Sequence, residues 1–167
     1  MKVDMNSQPL MDFNEILPNL FVGSCPRTPD HVDTLSETGI TAVLNVQTAD
    51  DLAYWQIEWH DMQACYDEHQ IEVRRIPVQD FNPDILRRKL PDCVAALQDL
   101  LQAGHTVFVH CNVGVNRSPS TVIAYLHWIE QRALDEAILH VCQRRHCDPY
   151  VDAIKLATQD REMDPRS

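Results

Sequence analysis

Cys111 and Arg117 stand either side of five uncharged residues, Asn112, Val113, Gly114, Val115 and Asn116. A thiolate is a strong nucleophile near neutral pH. A guanidinium is a permanently charged planar fork that matches a phosphate. Together they suggest attack of sulfur on phosphorus, with a covalent cysteinyl phosphate as intermediate. Gly114 has no Cβ and permits close backbone approach to a ligand. Ser118 follows the arginine, and its hydroxyl can donate to the sulfur, which makes the sulfur a better leaving group when the intermediate is hydrolysed. The ester oxygen that departs first needs a proton, and the acid must reach over the site from another loop. Asp80, in the turn Asp80-Phe81-Asn82-Pro83, suits that role, with Asp84 its nearby competitor. His110 fits a loop-holding role better than a proton-transfer role.

These residues need elements to position them. Thr106 to Val109 is β-branched and aromatic and reads as a buried strand. The apolar run Thr121 to Ile129, with Pro119 in its first turn, reads as a helix. A strand that turns sharply into a helix aims its backbone N–H groups at one spot, an anion site whose field also favours the thiolate. Residues 112 to 117 are therefore the expected phosphate cradle. Upstream, Ile71 to Val78 reads as a second parallel strand, so Asp80 leaves the sheet at the same carboxyl edge as Cys111. Phe13 to Val22 suggests a hairpin around Pro18-Asn19. Thr28 to Gly39 carries helix start and stop signals. Ile40 to Val46 is an apolar strand. Asp50 to Glu58, His60 to His69, Pro91 to Ala103, Leu134 to Val141 and Val151 to Ala157 have helical patterning. Strands alternating with helices predict an α/β fold with a central, mostly parallel sheet flanked by helices. Residues 1–12 are expected to form a flexible arm and residues 13–160 a single domain.

The chain has 167 residues and a net charge of -11, without a basic stripe. That balance argues against nucleic acid or an anionic membrane as partner. It also means that attraction for a phosphorylated substrate must be local. Six cysteines are scattered without a Cys-x-x-Cys pair, and the N-terminus has no apolar signal-peptide core. A reduced, cytoplasmic protein with free thiols is expected. His140, Cys142, His146 and Cys147 crowd one segment, but their spacing matches no familiar zinc pattern. No metal or other cofactor is expected. His127 and Trp128 have apolar neighbours and are expected in the core. Tyr54 and Trp55 sit beside Asp50 and Asp51, either as half-buried anchors or as stacking surfaces for a flat ligand.

The stretch His110-Cys-Asn-Val-Gly-Val-Asn-Arg-Ser118 resembles the signature of the cysteine-dependent dual-specificity phosphatases. The framework resembles the catalytic domain of the plant starch-excess glucan phosphatases, and more distantly laforin. Asn19 to Cys25, Thr28-Pro29-Asp30, Asp51 to Trp55, Asp80-Phe81, Leu86 to Pro91 and Asp152 to Ile154 carry that likeness. The resemblance implies a dual-specificity phosphatase fold, with Cys111 as nucleophile, Arg117 as phosphate clamp and Asp80 as general acid. It also implies that Tyr54, Trp55 and Phe81 line a glucan channel. The loop itself, with Val113, Asn116 and Ser118, is closer to ordinary dual-specificity enzymes than to glucan phosphatases. The position where some relatives carry a cysteine that locks the nucleophile is Asn45 here. Cys142 or Cys147 would substitute only if the fold brought them close.

Three substrate readings follow: a phosphatase for phosphorylated glucan, a phosphatase for phosphotyrosine and phosphoserine/threonine in proteins, and a catalytically weak module that captures phosphorylated ligands or glucan. A rhodanese-like sulfurtransferase fits the Arg117-Ser118 pair poorly. A phosphoinositide phosphatase would be expected to carry lysines between residues 112 and 116.

Overall fold

Three strands dominate the interior, and each alternates between two cores. In the computed structural model, which describes residues 10–166, β2 (Leu20–Gly23), β3 (Ala42–Asn45) and β5 (Val107–His110) are buried throughout. Leu20, Val22, Ala42, Leu44, Val107 and Val109 face one core, while Phe21, Val43 and Phe108 face the other. A period of two with both faces apolar is the pattern of a sheet covered on both sides. The sheet has five strands in the order β1-β2-β5-β3-β4. β1 (Phe13–Leu17) pairs antiparallel with β2, and the other four strands are parallel. β4 (Glu72–Arg75) is a half-exposed edge.

The smaller core lies beneath α1 (Pro29–Thr38), α2 (Ala49–Tyr54) and α3 (Trp59–Glu68). The larger lies beneath α4 (Pro83–Gln102), α5 (Arg117–Trp128), α6 (Leu134–Arg144) and α7 (Val151–Met163). Thr28 caps α1, and Gly39 ends it at φ 95°, a left-handed backbone suited to glycine. Among the described residues, no helix is long and apolar enough to cross a membrane.

Several boundaries differ from the sequence reading. The helix expected from Pro91 begins at Pro83, with Asn82 accepting the Ile85 N–H at 3.1 Å. Pro91 lies inside it, because Leu86, Leu90, Val94 and Leu97 continue one buried stripe across the proline. Helix α2 stops at Tyr54 rather than Glu58, since Gln56 turns left-handed at φ 56°. The strand expected over Ile71 to Val78 keeps only four residues in regular pairing, although the Ile76 and Val78 N–H groups still donate to Asn45 and Val46. His127 and Trp128 are half-buried, not core. Residues 1–9 of the expected arm lie outside the described residues; Asp12, at its end, accepts the Ser24 N–H at 2.9 Å.

One register matters for chemistry. Gly23, His110 and Asn45 are aligned across β2, β5 and β3, and Asn45 is aligned with Arg75 of β4. Four parallel strands therefore end level, and the chain leaves each of them at one edge.

Candidate active site

Residues 111 to 116 connect the end of β5 to the start of α5. The Cys111 sulfur lies 3.2 Å from Ser118 Oγ, and both side chains are buried. The loop carbonyls are held from outside. Asn112 O accepts the Cys25 N–H at 2.9 Å, and Val115 O accepts the Asp148 N–H at 2.8 Å. Arg145 donates to Gly114 O at 2.6 Å and to Val113 O at 3.0 Å. A peptide carbonyl and the N–H across the same bond point opposite ways, so carbonyls drawn outward turn their amides inward. Tying the carbonyls of residues 112 to 115 in this way orients the amides of residues 113 to 116.

Gly114 is needed here for two reasons. Its φ is 69°, and a Cβ on it would lie 2.5 Å from the Gly23 carbonyl and from the Arg145 guanidinium. That close approach is to the protein's own backbone and to Arg145. Asn112 points its amide sideways, donating to Asp51 at 2.9 Å and accepting from Gln47 at 2.9 Å. Asn116 donates to the Asp148 carbonyl at 3.0 Å. Val113 is exposed at the rim.

Arg117 is almost fully buried at the start of α5. Its guanidinium donates to the Val78 carbonyl at 2.7 Å and to Asp51 at 2.7 Å, and it lies 3.1 Å from Asp80 Oδ2. Two carboxylates thus share one cation. Asp51 belongs to a capping box with Thr48 at the N-terminus of α2. Burial works to raise its pKa, but the hydrogen bonds from Arg117, Thr48 and Asn112 outweigh it and hold the carboxyl below its usual range. Asp80 sits at the tip of a turn, with the Phe81 N–H donating to its Oδ1 at 3.0 Å. Phe81 has φ 55°, a costly backbone for a bulky residue, and its ring is 86% exposed. Asp84 lies in the first turn of α4, outside the cleft lining.

Tyr54, Trp55 and Phe81 line one cleft of about 580 Å³ with Asp51, Asp80, Asn112 and Val113. The Tyr54 and Trp55 rings meet edge to face at 5.3 Å, and Tyr54 is 78% exposed. The fold therefore brings every expected site residue to one edge of the sheet. His110 lies beneath the loop, stacked on Phe108, with its Nδ1 2.9 Å from the Cys111 carbonyl. Burial, with help from Arg117, lowers its pKa to about 4. It is a neutral ring that donates Nδ1–H to that carbonyl.

Sequence reasoning missed Asp51, Gln47 and Arg145. The capping pattern Thr48-x-x-Asp51 marks a helix start but says nothing of an arginine elsewhere in the chain. Arg145 is buried while its neighbour Arg144 is exposed, and no sequence signal separates the two. Among the described residues, no group of three or more His, Cys, Asp or Glu side chains converges as for a metal ion. Instead, His140 contacts the Ile16 carbonyl at 2.8 Å, and Cys142 contacts Cys147.

Comparison with known proteins agrees with this geometry. The family model "Dual specificity phosphatase, catalytic domain" matches residues 20–152. The chain is 38% identical over 150 residues to phosphoglucan phosphatase LSF1, chloroplastic, of Arabidopsis thaliana, covering 90% of this chain and 25% of that one. It is 34% identical over 164 residues to laforin of Mus musculus, covering 92% and 49%. The chain thus spans about a quarter to a half of the length of these relatives. Among solved structures, Tk-PTP in its active form superposes with a TM-score of 0.73 over 90% of this chain and 95% of that one, at 19% identity, a likeness of fold. The sheet, the loop after β5 and the match over residues 20–152 place this chain in the dual-specificity phosphatase catalytic-domain family.

Proposed function

We propose that this chain hydrolyses phosphate monoesters through a cysteinyl phosphate, and that its substrate is a phosphorylated glucan. The observation that carries the chemistry is the Cys111 sulfur, 3.2 Å from Ser118 Oγ, at the base of a loop whose carbonyls at residues 112 to 115 are held by Cys25, Arg145 and Asp148. The phosphate binds the inward amides of residues 112 to 117 and takes the place of Asp80 on Arg117. The Cys111 thiolate attacks phosphorus, a sulfur–phosphorus bond forms, and the ester phosphorus–oxygen bond breaks. The Asp80 carboxylate, released from Arg117, takes up a proton from solvent and gives it to the departing oxygen. Water then attacks the cysteinyl phosphate, Asp80 takes the water's proton, and the sulfur leaves as a thiolate that accepts a hydrogen bond from Ser118.

The glucan assignment rests on the cleft. Tyr54 and Phe81 are large exposed aromatics beside the catalytic groups, and Trp55 adds a third ring. Exposed aromatics around a cleft offer flat apolar faces to sugar rings. LSF1 is named a phosphoglucan phosphatase, which supports the same reading. The protein dual-specificity reading has its own support, since Val113, Asn116 and Ser118 differ from the loop of glucan phosphatases. The catalytic unit is proposed to be residues 13–160, with 1–12 as an arm, working in a reducing compartment such as the cytoplasm.

Phosphate release from an aryl phosphate, compared between the native chain and Cys111→Ser, tests the chemistry. Loss to background is expected; equal rates would make the chain a binding module. Solubilised phosphoglucan and phosphopeptides are then compared in Tyr54→Ala, Trp55→Ala and Phe81→Ala. Each truncation should lower glucan turnover about fivefold, on the basis of about 1 kcal/mol per lost ring contact. A fall in peptide turnover with glucan turnover unchanged would establish the protein-phosphatase reading instead.

A further inference from the structure

We propose that Cys142 and Cys147 form a thiol–disulfide site that governs the phosphate-binding loop from its outer side. The two sulfurs lie 3.6 Å apart, both thiols are free, and both side chains are half-buried and so within reach of a small oxidant. Cys142 is in the last turn of α6, and Cys147 lies just past its end. A disulfide requires the sulfurs to close from 3.6 Å to about 2.0 Å, a modest change in side-chain torsion and chain path.

What the pair brackets makes it functional. Arg145 lies between the two cysteines and holds the Gly114 and Val113 carbonyls. Asp148 follows Cys147 directly; its N–H holds the Val115 carbonyl, and its own carbonyl accepts from Asn116. The segment 145–148 is thus the clasp that keeps three loop carbonyls outward. Closing a ring over residues 142 to 147 shortens the path that carries this clasp. The loop amides shift with it, without any change at Cys111 itself. The site differs from a lock on the nucleophile, because the position next to β5 on β3 is Asn45, and the Cys142 sulfur contacts Cys147.

The chemistry is thiol–disulfide exchange with a small-molecule disulfide such as oxidised glutathione. In the proposed order Cys142, whose sulfur lies 3.6 Å from that of Cys147, attacks first. Its thiolate attacks the glutathione disulfide, forming a mixed disulfide and releasing one glutathione thiolate. The Cys147 thiol loses its proton to solvent and attacks the Cys142 sulfur, releasing the second. Two protein thiols are oxidised, one glutathione disulfide is reduced to two thiols, and the protons are balanced.

The test oxidises the full chain with glutathione disulfide while inorganic phosphate occupies the active site, and then removes both. Trypsin cuts after Arg144 and Arg145, so the cross-link joins two separate peptides and is identified by mass. Aryl phosphate turnover should fall about tenfold, as expected for a small displacement of positioning groups, and should recover with dithiothreitol. Cys142→Ser and Cys147→Ser should keep full turnover when reduced and resist the treatment. Absence of the 142–147 cross-link overturns the site. A cross-link with unchanged turnover overturns its control of the loop, as does equal sensitivity of the serine variants. None of these readouts depends on whether the natural substrate is glucan or protein.

Discussion

Arg117 is buried against the Val78 carbonyl and two carboxylates, and the two carboxylates have different fates. Asp51 is fixed by its capping box and by Asn112, so it orients the guanidinium permanently. Asp80 approaches from an exposed turn and is free to leave. Asp51→Ala should lower aryl phosphate turnover about a hundredfold, because the guanidinium loses the partner that aims it. Steady-state kinetics checked against circular dichroism of the folded chain would show it; a loss confined to stability would mean that Asp51 only caps α2. Asp80→Ala should cost little with a good leaving group and much with a poor one, and a series of aryl phosphates of graded leaving-group pKa measures this. At this scale, Cys111, Arg117 and Ser118 were legible because one short loop carries them, so sequence spacing is spatial spacing. Asp51 and Arg145 reach that loop from other elements, and only tertiary packing brings them there.

The elements were legible where apolar period and capping agree, as in β5 and α1. They were misread where one strong local signal overrode the longer pattern. The helical patterning is read from Pro91 to Ala103, yet the stripe Leu86, Leu90, Val94 and Leu97 passes through Pro91 and Asn82-Pro83 supplies the true start. A proline inside a helix withholds one N–H and costs about 3 kcal/mol against alanine, part of it offset by the lower entropy of its unfolded chain. Pro91 is exposed, so Pro91→Ala should raise stability by about 1 kcal/mol without touching the site. A higher denaturation midpoint with unchanged turnover is the expected result. The level ends of β2, β5, β3 and β4 are the element-scale cause of the site, since they deliver Cys25, Cys111, Gln47 and Asp80 to one rim.

Across the whole molecule, two groups held in one protonation state by the fold make acid the weak side. His110 is buried neutral, with a folded pKa of about 4 against 6.5 for the free side chain. Between those values the unfolded chain binds the extra proton, so stability falls as pH drops from about 6.5 to about 4, by about 3 kcal/mol over the interval. Asp51, held low in the fold, adds a further loss once pH falls below its ordinary value. Urea titrations at a series of pH values should give this slope, and His110→Gln should flatten it.

The pairing of Asp80 with Arg117 sets how the molecule as a whole meets an anion. In a chain of net charge -11, Arg117 already holds an anion of the chain's own. In the proposed reaction an arriving phosphate exchanges with the Asp80 carboxylate, and inorganic phosphate is evicted when that carboxylate returns. Turnover by anion exchange rather than anion capture limits product retention. On this basis Asp80→Asn should hold inorganic phosphate more tightly than the native chain, read as a lower inhibition constant.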